Sequence, residues 1–397
     1  MKVKSVPEDF VVSEVSSVRA RESGIYGLYI LEKKGWNTPD ALKGIAARAG
    51  LPYGLFSYGG RKDRHAHTSQ YVTVRSRRDL STAGNGYRFT RVGSTDRAMG
   101  PGLIVGNEFR IMLRSLSDDD VAMVCRNAAE ALDQGFPNYF DDQRFGSMDP
   151  ERGFIAERML KGQWRGSVEI YLTSCRPDDP REVRDRRERM RRHWGDWPAM
   201  LDAAGDGGSA LELAMLQLLS ENHGAYVRAL QMIPGEELSL FFSAYQSFLW
   251  NEIARRLVAG IVAEPAAHAG TAGAYLFYRN IPQAALDRLQ RLNIPLPAAG
   301  ARFDDETAGA VYARVLEERG IHPGRFNVRR LRQAFFRPAP RQVIVFPARL
   351  AVSEPADDEL NPGRKRVLVT FFLPRGSYGT MLVKRLSVRA VPCLPAE

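Results

Sequence analysis

The chain has 397 residues, 44% hydrophobic and 26% charged, enough for two or three domains that each bury a core. Its formal net charge of +10 still includes 46 acids, which favours a polyanionic partner and excludes a simple basic tail. Cys125, Cys175 and Cys393 lie far apart, so no disulfide framework or zinc spacing follows and a reducing compartment is expected. The start MKVKSVPEDF lacks an apolar leader core and no run of eighteen apolar residues exists, so a cytoplasmic chain that does not span a membrane is expected.

In chain order, Phe10–Val15 and Ile25–Leu31 alternate as strands. Thr38 reads as an N-cap with Pro39 at N1, Leu42, Ile45, Ala46 and Ala49 form a helical face, and Gly50 sits where a C-terminal glycine belongs. Leu55–Tyr58 and Gln70–Val74 read as short strands. They flank Gly59-Gly60-Arg61-Lys62-Asp63-Arg64, a loop with one carboxylate among three cations. Phe109–Leu113 reads as a strand and Val121–Leu132 as a helix. From Gly146 to about Arg330 the pattern is mostly helical, including Arg181–Arg192 after an Asp179 N-cap and Pro180, then Leu211–Leu219 and Leu240–Val258. Strands return at Gln342–Phe346 and Val367–Leu373, and Tyr378–Leu386 fits either a helix or a strand. This order suggests a discontinuous α/β domain with a large, mostly helical insertion.

Chemistry-bearing residues have plain alternatives. Arg-Lys-Asp-Arg could be a solvated loop with a local ion pair of little worth. Against that, Gly59-Gly60 permits unusual backbone angles and the flanking strands present Asp63 from a rigid sheet. His65 and His67 alternate, but two imidazoles without further ligands do not make a metal site. Asp118-Asp119-Asp120 and Asp141-Asp142 could hold Mg²⁺ for a nuclease, although acids after Ser117 also suit a helix N-terminus. Asn107 and Phe109 share a strand face, as core or as a polar group beside a base-stacking ring. Gln143 and Arg144 lie among Phe136, Tyr139, Phe140 and Phe145, a cluster that reads chiefly as core but also suits nucleotide contacts. The Arg181–Arg192 run has i,i+4 ion pairs and leaves Arg184, Arg187 and Arg191 as unpaired cations for an RNA backbone.

Together these stretches resemble the TruD family of tRNA pseudouridine synthases. The matching segments are PEDFVVSE from Pro7, Trp36-Asn37-Thr38, GGRKDRHAHTSQ from Gly59, Gly106-Asn107-Glu108-Phe109, NYFDDQRFG from Asn138, SAYQSFLWN from Ser243 and FFLPRGSYGT from Phe371. They stand in family order across nearly the whole chain. Asp141 replaces the family's glycine, Gly379 its alanine and Trp250 its phenylalanine. The resemblance implies an α+β fold: a pseudouridine synthase catalytic domain with a mixed, mainly antiparallel sheet over 1–147 and 339–397, interrupted by a largely α-helical TRUD insertion domain over 148–338. It implies an isomerase (an intramolecular transferase) that converts uridine to pseudouridine in tRNA, at uridine-13 of the D-arm, with no cofactor and no metal. Asp63 matches the catalytic aspartate and Lys4 its basic partner. Phe109 matches the ring that stacks on the flipped uracil, and Asn107 the polar residue beside it. Gln143 and Arg144 are expected to contact substrate. The expected partner is tRNA, with other RNAs open, and no protein partner is evident. A non-catalytic RNA-binding protein and a metal-dependent nuclease are the rival readings.

Overall fold

The computed structural model describes residues 1–64, 66–176, 179–332 and 335–389. It divides into two compact units, Met1–Phe136 with Val345–Glu397, and Pro137–Ile344. The limits expected at 148 and 338 therefore both fall inside the second unit.

Among the described residues the first unit is built on a ten-stranded sheet. Its strands are β1 (Phe10–Ser16), β2 (Tyr26–Lys33), β3 (Phe56–Tyr58), β4 (His67–Val74), β5 (Thr82–Gly84), β6 (Tyr87–Thr95), β7 (Ile104–Leu116), β8 (Ala348–Val352), β9 (Ala356–Asp357) and β10 (Lys365–Pro374). The main order is β8-β10-β7-β1-β4-β2-β6-β5, with β9 on β10 and β3 on β4. Every pairing is antiparallel except β1 with β4. A parallel pair needs a crossover between its strands, and here the chain from β2 through the helix α1 (Thr38–Ala49) and β3 supplies it.

Side-chain alternation puts Tyr29 and Leu31 of β2 and Phe89 of β6 on one face, where Ala41, Leu42, Ile45 and Ala46 of α1 complete a core with Val72, Val74 and Phe56. Each such Leu, Ile or Phe contributes roughly 1.5–3 kcal/mol by leaving water. Gly50 ends α1 in the left-handed region at φ 65°, as its position in the sequence predicts. The start differs by one residue. Asn37 occupies the N-cap and Thr38 is already helical, because the Thr38 hydroxyl is committed to Gln70 Oε1 at 2.7 Å. The helix α2 (Asp118–Gln134) begins with a capping box between Ser117 and Asp120. That is a structural use for part of the acidic run. Residues 379–386 are helical, which resolves the ambiguity there.

The second unit is mainly helical. Its longest helix, Gly235–Ile261, buries Phe242, Tyr245, Phe248, Trp250 and Ile253. Asn251 grips the main chain of Phe140, accepting its amide at 2.9 Å and donating to its carbonyl at 2.8 Å. Gln246 donates to Pro297 O and Arg337 O. The SAYQSFLWN stretch thus serves the core of this unit. The helix Arg181–Arg192 starts one residue later than its sequence suggests, with Pro180 in the N-cap position and Asp179 accepting from the Arg176 amide. Of the three cations expected to be free, Arg187 and Arg191 are paired, while Arg184 is exposed with no ion pair among the described residues. Arg187 is half-buried, donates to Ser174 O at 2.6 Å and pairs with Glu212 at 3.5 Å, while Arg191 pairs with Glu151 at 2.6 Å. Carboxylates from outside the helix, invisible to an i,i+4 count, neutralise them.

Candidate active site

Strand register assembles one face of the first unit from residues far apart in sequence. One row runs Phe371, Phe109, Val12, Thr68, Lys33, Tyr87 across six strands. The next row on the same face contains Leu373, Asn107 and Glu14, and further along Gln70, Leu31 and Phe89. Asn107 and Phe109 do share a face, as their spacing predicts, and polar groups interrupt an otherwise apolar surface beside them.

The loop after β3 is laid over these polar groups. Gly59 permits the approach, since a Cβ there would stand 2.4 Å from Ile104 Cδ1, whereas one on Gly60 would only touch that atom at 4.0 Å. Neither glycine is left-handed. The pair is therefore needed for room at Gly59 and not for unusual backbone angles.

Several anchors then hold the loop. Gln70 Nε2 donates to Gly60 O at 3.0 Å, and Thr38, bound to the same Gln70 through its hydroxyl, accepts the Lys62 amide at 3.1 Å. The Lys62 ammonium reaches Asn107 Oδ1 at 2.5 Å and the buried Glu14 carboxylate at 3.0 Å. Lys33, 1% exposed, donates to Asp63 O at 2.8 Å and to Lys62 O at 3.2 Å. Burial pulls the Lys33 ammonium down to about 8, the Asp63 charge opposes that fall and the Lys62 charge adds to it. Gly35 closes the far end, exchanging main-chain and guanidinium hydrogen bonds with Arg64.

Asp63 is thereby presented with its side chain 15% exposed, and Lys4 Nζ donates to its Oδ2 at 2.6 Å. Lys4 also stands over the Phe10 ring at 4.4 Å, and Phe10 meets Phe109 edge-on at 6.4 Å. Lys4 itself is left-handed, φ 59°, in a segment pinned on both sides. Upstream, Lys2 and Arg114 exchange main-chain hydrogen bonds at 2.8 and 2.9 Å. Downstream, the buried Asp9 carboxylate binds Arg114 Nε and the Val6 amide. Arg114 is further bound to Asp358. Burial raises the Asp358 carboxyl, but the Ser115 amide, Asn361, the Leu360 amide and Arg114 together hold it at about 2.

Four of the six expected site residues, Asp63, Lys4, Asn107 and Phe109, thus lie in one connected network. Phe109 is 6% exposed, with its ring stacked on Phe371 at 4.9 Å. Gly379 presses close: a Cβ there would come within 2.7 Å of the Phe109 ring. Gln143 and Arg144 belong to the second unit, in the short turn Asp142–Phe145. Gln143 is exposed. Arg144 reaches Ser247 Oγ at 3.4 Å and lies 5.9 Å from the Phe140 ring. His65 lies outside the described residues and His67 opens β4. Asp142 accepts from the Thr271 amide and the Tyr275 hydroxyl. Among the described residues no three His, Cys, Asp or Glu side chains are grouped to hold a metal ion, and no helix is long and apolar enough to cross a membrane.

Sequence reading missed Lys33, Glu14, Thr38 and Gln70. The signal was present for three of them: Lys33 is in phase with Tyr29 and Leu31, Glu14 with Phe10 and Val12, and Gln70 with Val72 and Val74. Each is a polar residue on a face that alternation assigns to the core.

Comparison with known families places the chain in the pseudouridine synthase class of RNA-modifying isomerases. The family model described as tRNA pseudouridine synthase D (TruD) matches residues 1–386, and the chain belongs to that family. It is 29% identical to "Probable tRNA pseudouridine synthase D 1" of Methanococcus maripaludis, over 97% of this chain and 99% of that one. It is 27% identical to "tRNA pseudouridine synthase D" of Aquifex aeolicus, over 97% and 98%. In fold it is similar to the crystal structure of the "Putative tRNA pseudouridine synthase D (TruD)" of Methanosarcina mazei. The TM-score is 0.72 at 23% identity, covering 97% of this chain and 93% of the other.

Proposed function

We propose that the chain converts uridine-13 in the D-arm of tRNA to pseudouridine, with Asp63 as the catalytic carboxylate. The first unit is the catalytic domain and the second the TRUD insertion. In the reaction the bond from N1 to the sugar C1′ breaks, a bond from C5 to C1′ forms, and the proton of C5 is released as N1 gains one. Electrons and atoms balance without an oxidant or an energy source. A carboxylate can act as nucleophile or as base only when ionised and aimed. The observation that carries the reading is the 2.6 Å contact of Lys4 Nζ with Asp63 Oδ2, since a neighbouring cation favours the ionised form.

The target base must leave its stack, at a cost of a few kcal/mol. Phe109 is buried against Phe371 in the free protein, so stacking on it, worth about 1–3 kcal/mol, requires the ring to be uncovered when the base enters; Asn107 offers a hydrogen bond beside it. Gln143, Arg144 and the cationic excess contribute contacts to the rest of the RNA.

The test is Asp63→Asn, which keeps shape and hydrogen bonding but cannot serve as a carboxylate. Single-turnover conversion of an unmodified tRNA transcript in EDTA should fall below detection while filter binding stays within about threefold of wild type. Residual conversion within tenfold of wild type removes Asp63 from the mechanism. Conversion that persists on a transcript with cytidine at position 13 refutes the positional assignment, and complete dependence on Mg²⁺ with folded tRNA overturns the expectation that the reaction needs no metal.

A further inference from the structure

We infer that Lys33 is a positioning residue for the reaction, an ammonium buried beneath the Asp63 loop that fixes where the carboxylate points. The inference rests on the reading of Asp63 as the catalytic group.

Lys4 and Lys33 hold Asp63 in different ways. Lys4 grips the carboxylate itself, from a side chain 27% exposed. Lys33 never touches the carboxylate. Its Nζ donates to the carbonyls of Lys62 and Asp63, two successive peptide units. Binding both carbonyls to one nitrogen fixes the two peptide planes on either side of Asp63 Cα, and so the direction in which Cα–Cβ of Asp63 leaves the chain. Thr38 holds the amide of Lys62 from the other side, so the backbone just before Asp63 is clamped at both its donor and its acceptor.

Lys33 sits at the end of β2, opposite Thr68 of β4 and Tyr87 of β6. Asp63 and Lys62 face it from the loop, with His67 and Arg88 nearby along the same cleft. A lysine at 1% exposure is expensive to keep charged, and its ammonium is pulled to about 8 for that reason. Replacing it by an apolar side chain removes one partner of a buried contact and strands the other, here the carbonyls of Lys62 and Asp63. A charge kept at that cost is accounted for by the loop it holds, since no apolar side chain can bind two carbonyls.

The test is Lys33→Met, close in length and volume, with Lys33→Gln as a second variant. The expected result is a protein that still folds, with a somewhat lower melting temperature, and binds tRNA within about twofold of wild type. Its single-turnover rate per folded molecule should be roughly a hundredfold lower, the scale of a displaced catalytic group. A purely structural lysine would lower the melting temperature alike but leave the rate per folded molecule unchanged. Retention of the rate within twofold in a folded variant overturns the inference. If neither variant folds, ¹⁵N spectra of the lysine Nζ groups in the intact wild-type enzyme decide. A resonance that titrates near 8, and lower still in Asp63→Asn where the opposing charge is gone, supports the buried clamp. Lysine resonances that all titrate near 10.5 refute it. Loss of activity in Asp63→Asn with a normal Lys33→Met rejects the clamp alone, whereas an active Asp63→Asn rejects the underlying reading.

Discussion

Replacing Lys4 by Met removes the side chain that meets Asp63 Oδ2 at 2.6 Å while keeping most of the stem that lies over Phe10. The contact is part-buried, with side chains 27% and 15% exposed, so it is worth more than a surface ion pair and less than a dry one. A hydrogen bond between charged partners contributes about 1.5–3 kcal/mol. If that energy aims the carboxylate in the transition state, its loss lowers the rate by roughly 10- to 150-fold. The lost charge adds a smaller, salt-dependent effect on tRNA affinity, one phosphate-sized contact at most. Release of tritium from tRNA labelled at uridine C5 reports the step directly, because that hydrogen is lost when C5 bonds to the sugar. Under single turnover, Lys4→Met should slow release by the stated range, and Lys4→Arg should recover part of it. A Lys4→Met enzyme as fast as wild type would show that the ion pair in the free protein has no part in the reaction.

Phe109 is packed between Phe371 and Phe10, so truncation to Ala would confound packing with chemistry at a cost of about 3–5 kcal/mol of stability. Phe109→Leu should keep the fold and lose the ring face, with turnover down roughly tenfold or more. Equal turnover of Leu and Phe forms in folded protein would make the ring purely core. Asp358, held at about 2 against an ordinary 3.8, gives stability that is present above pH 4 and is lost as pH falls towards 2. Chemical denaturation should therefore show Asp358→Asn clearly less stable than wild type at pH 7, with the gap closing below pH 4. A gap independent of pH would mean that the Arg114 network does not depend on that charge.

Much of this was legible in the sequence because local rules and tertiary demands agree. Phe10–Val15 alternates as a strand because one of its faces is core, and Gly50 ends α1 because only a left-handed residue fits there. The Asn107-x-Phe109 spacing gives one face whatever lies opposite. Disagreement appears where a side chain serves something distant. Thr38 looks like a cap from its neighbours, yet its hydroxyl belongs to Gln70 and, through it, to the loop. Arg187 and Arg191 look like free cations because Glu212 and Glu151, which neutralise them, are remote in sequence.

The same logic explains why Lys33 escaped notice while Asp63 did not. Asp63 stands out as an acid among bases, a contrast visible within four residues. Lys33 follows an apolar alternation and is easily read as the solvated end of a strand. Its inward phase is visible, but the partner that justifies burying a charge is a pair of backbone carbonyls about thirty residues away, and backbone carbonyls leave no mark in a sequence. A buried cation on main-chain oxygens is therefore the kind of feature that sequence patterns under-report. It is also the kind that holds a catalytic loop, because fixing a peptide plane constrains the direction of the side chain it carries.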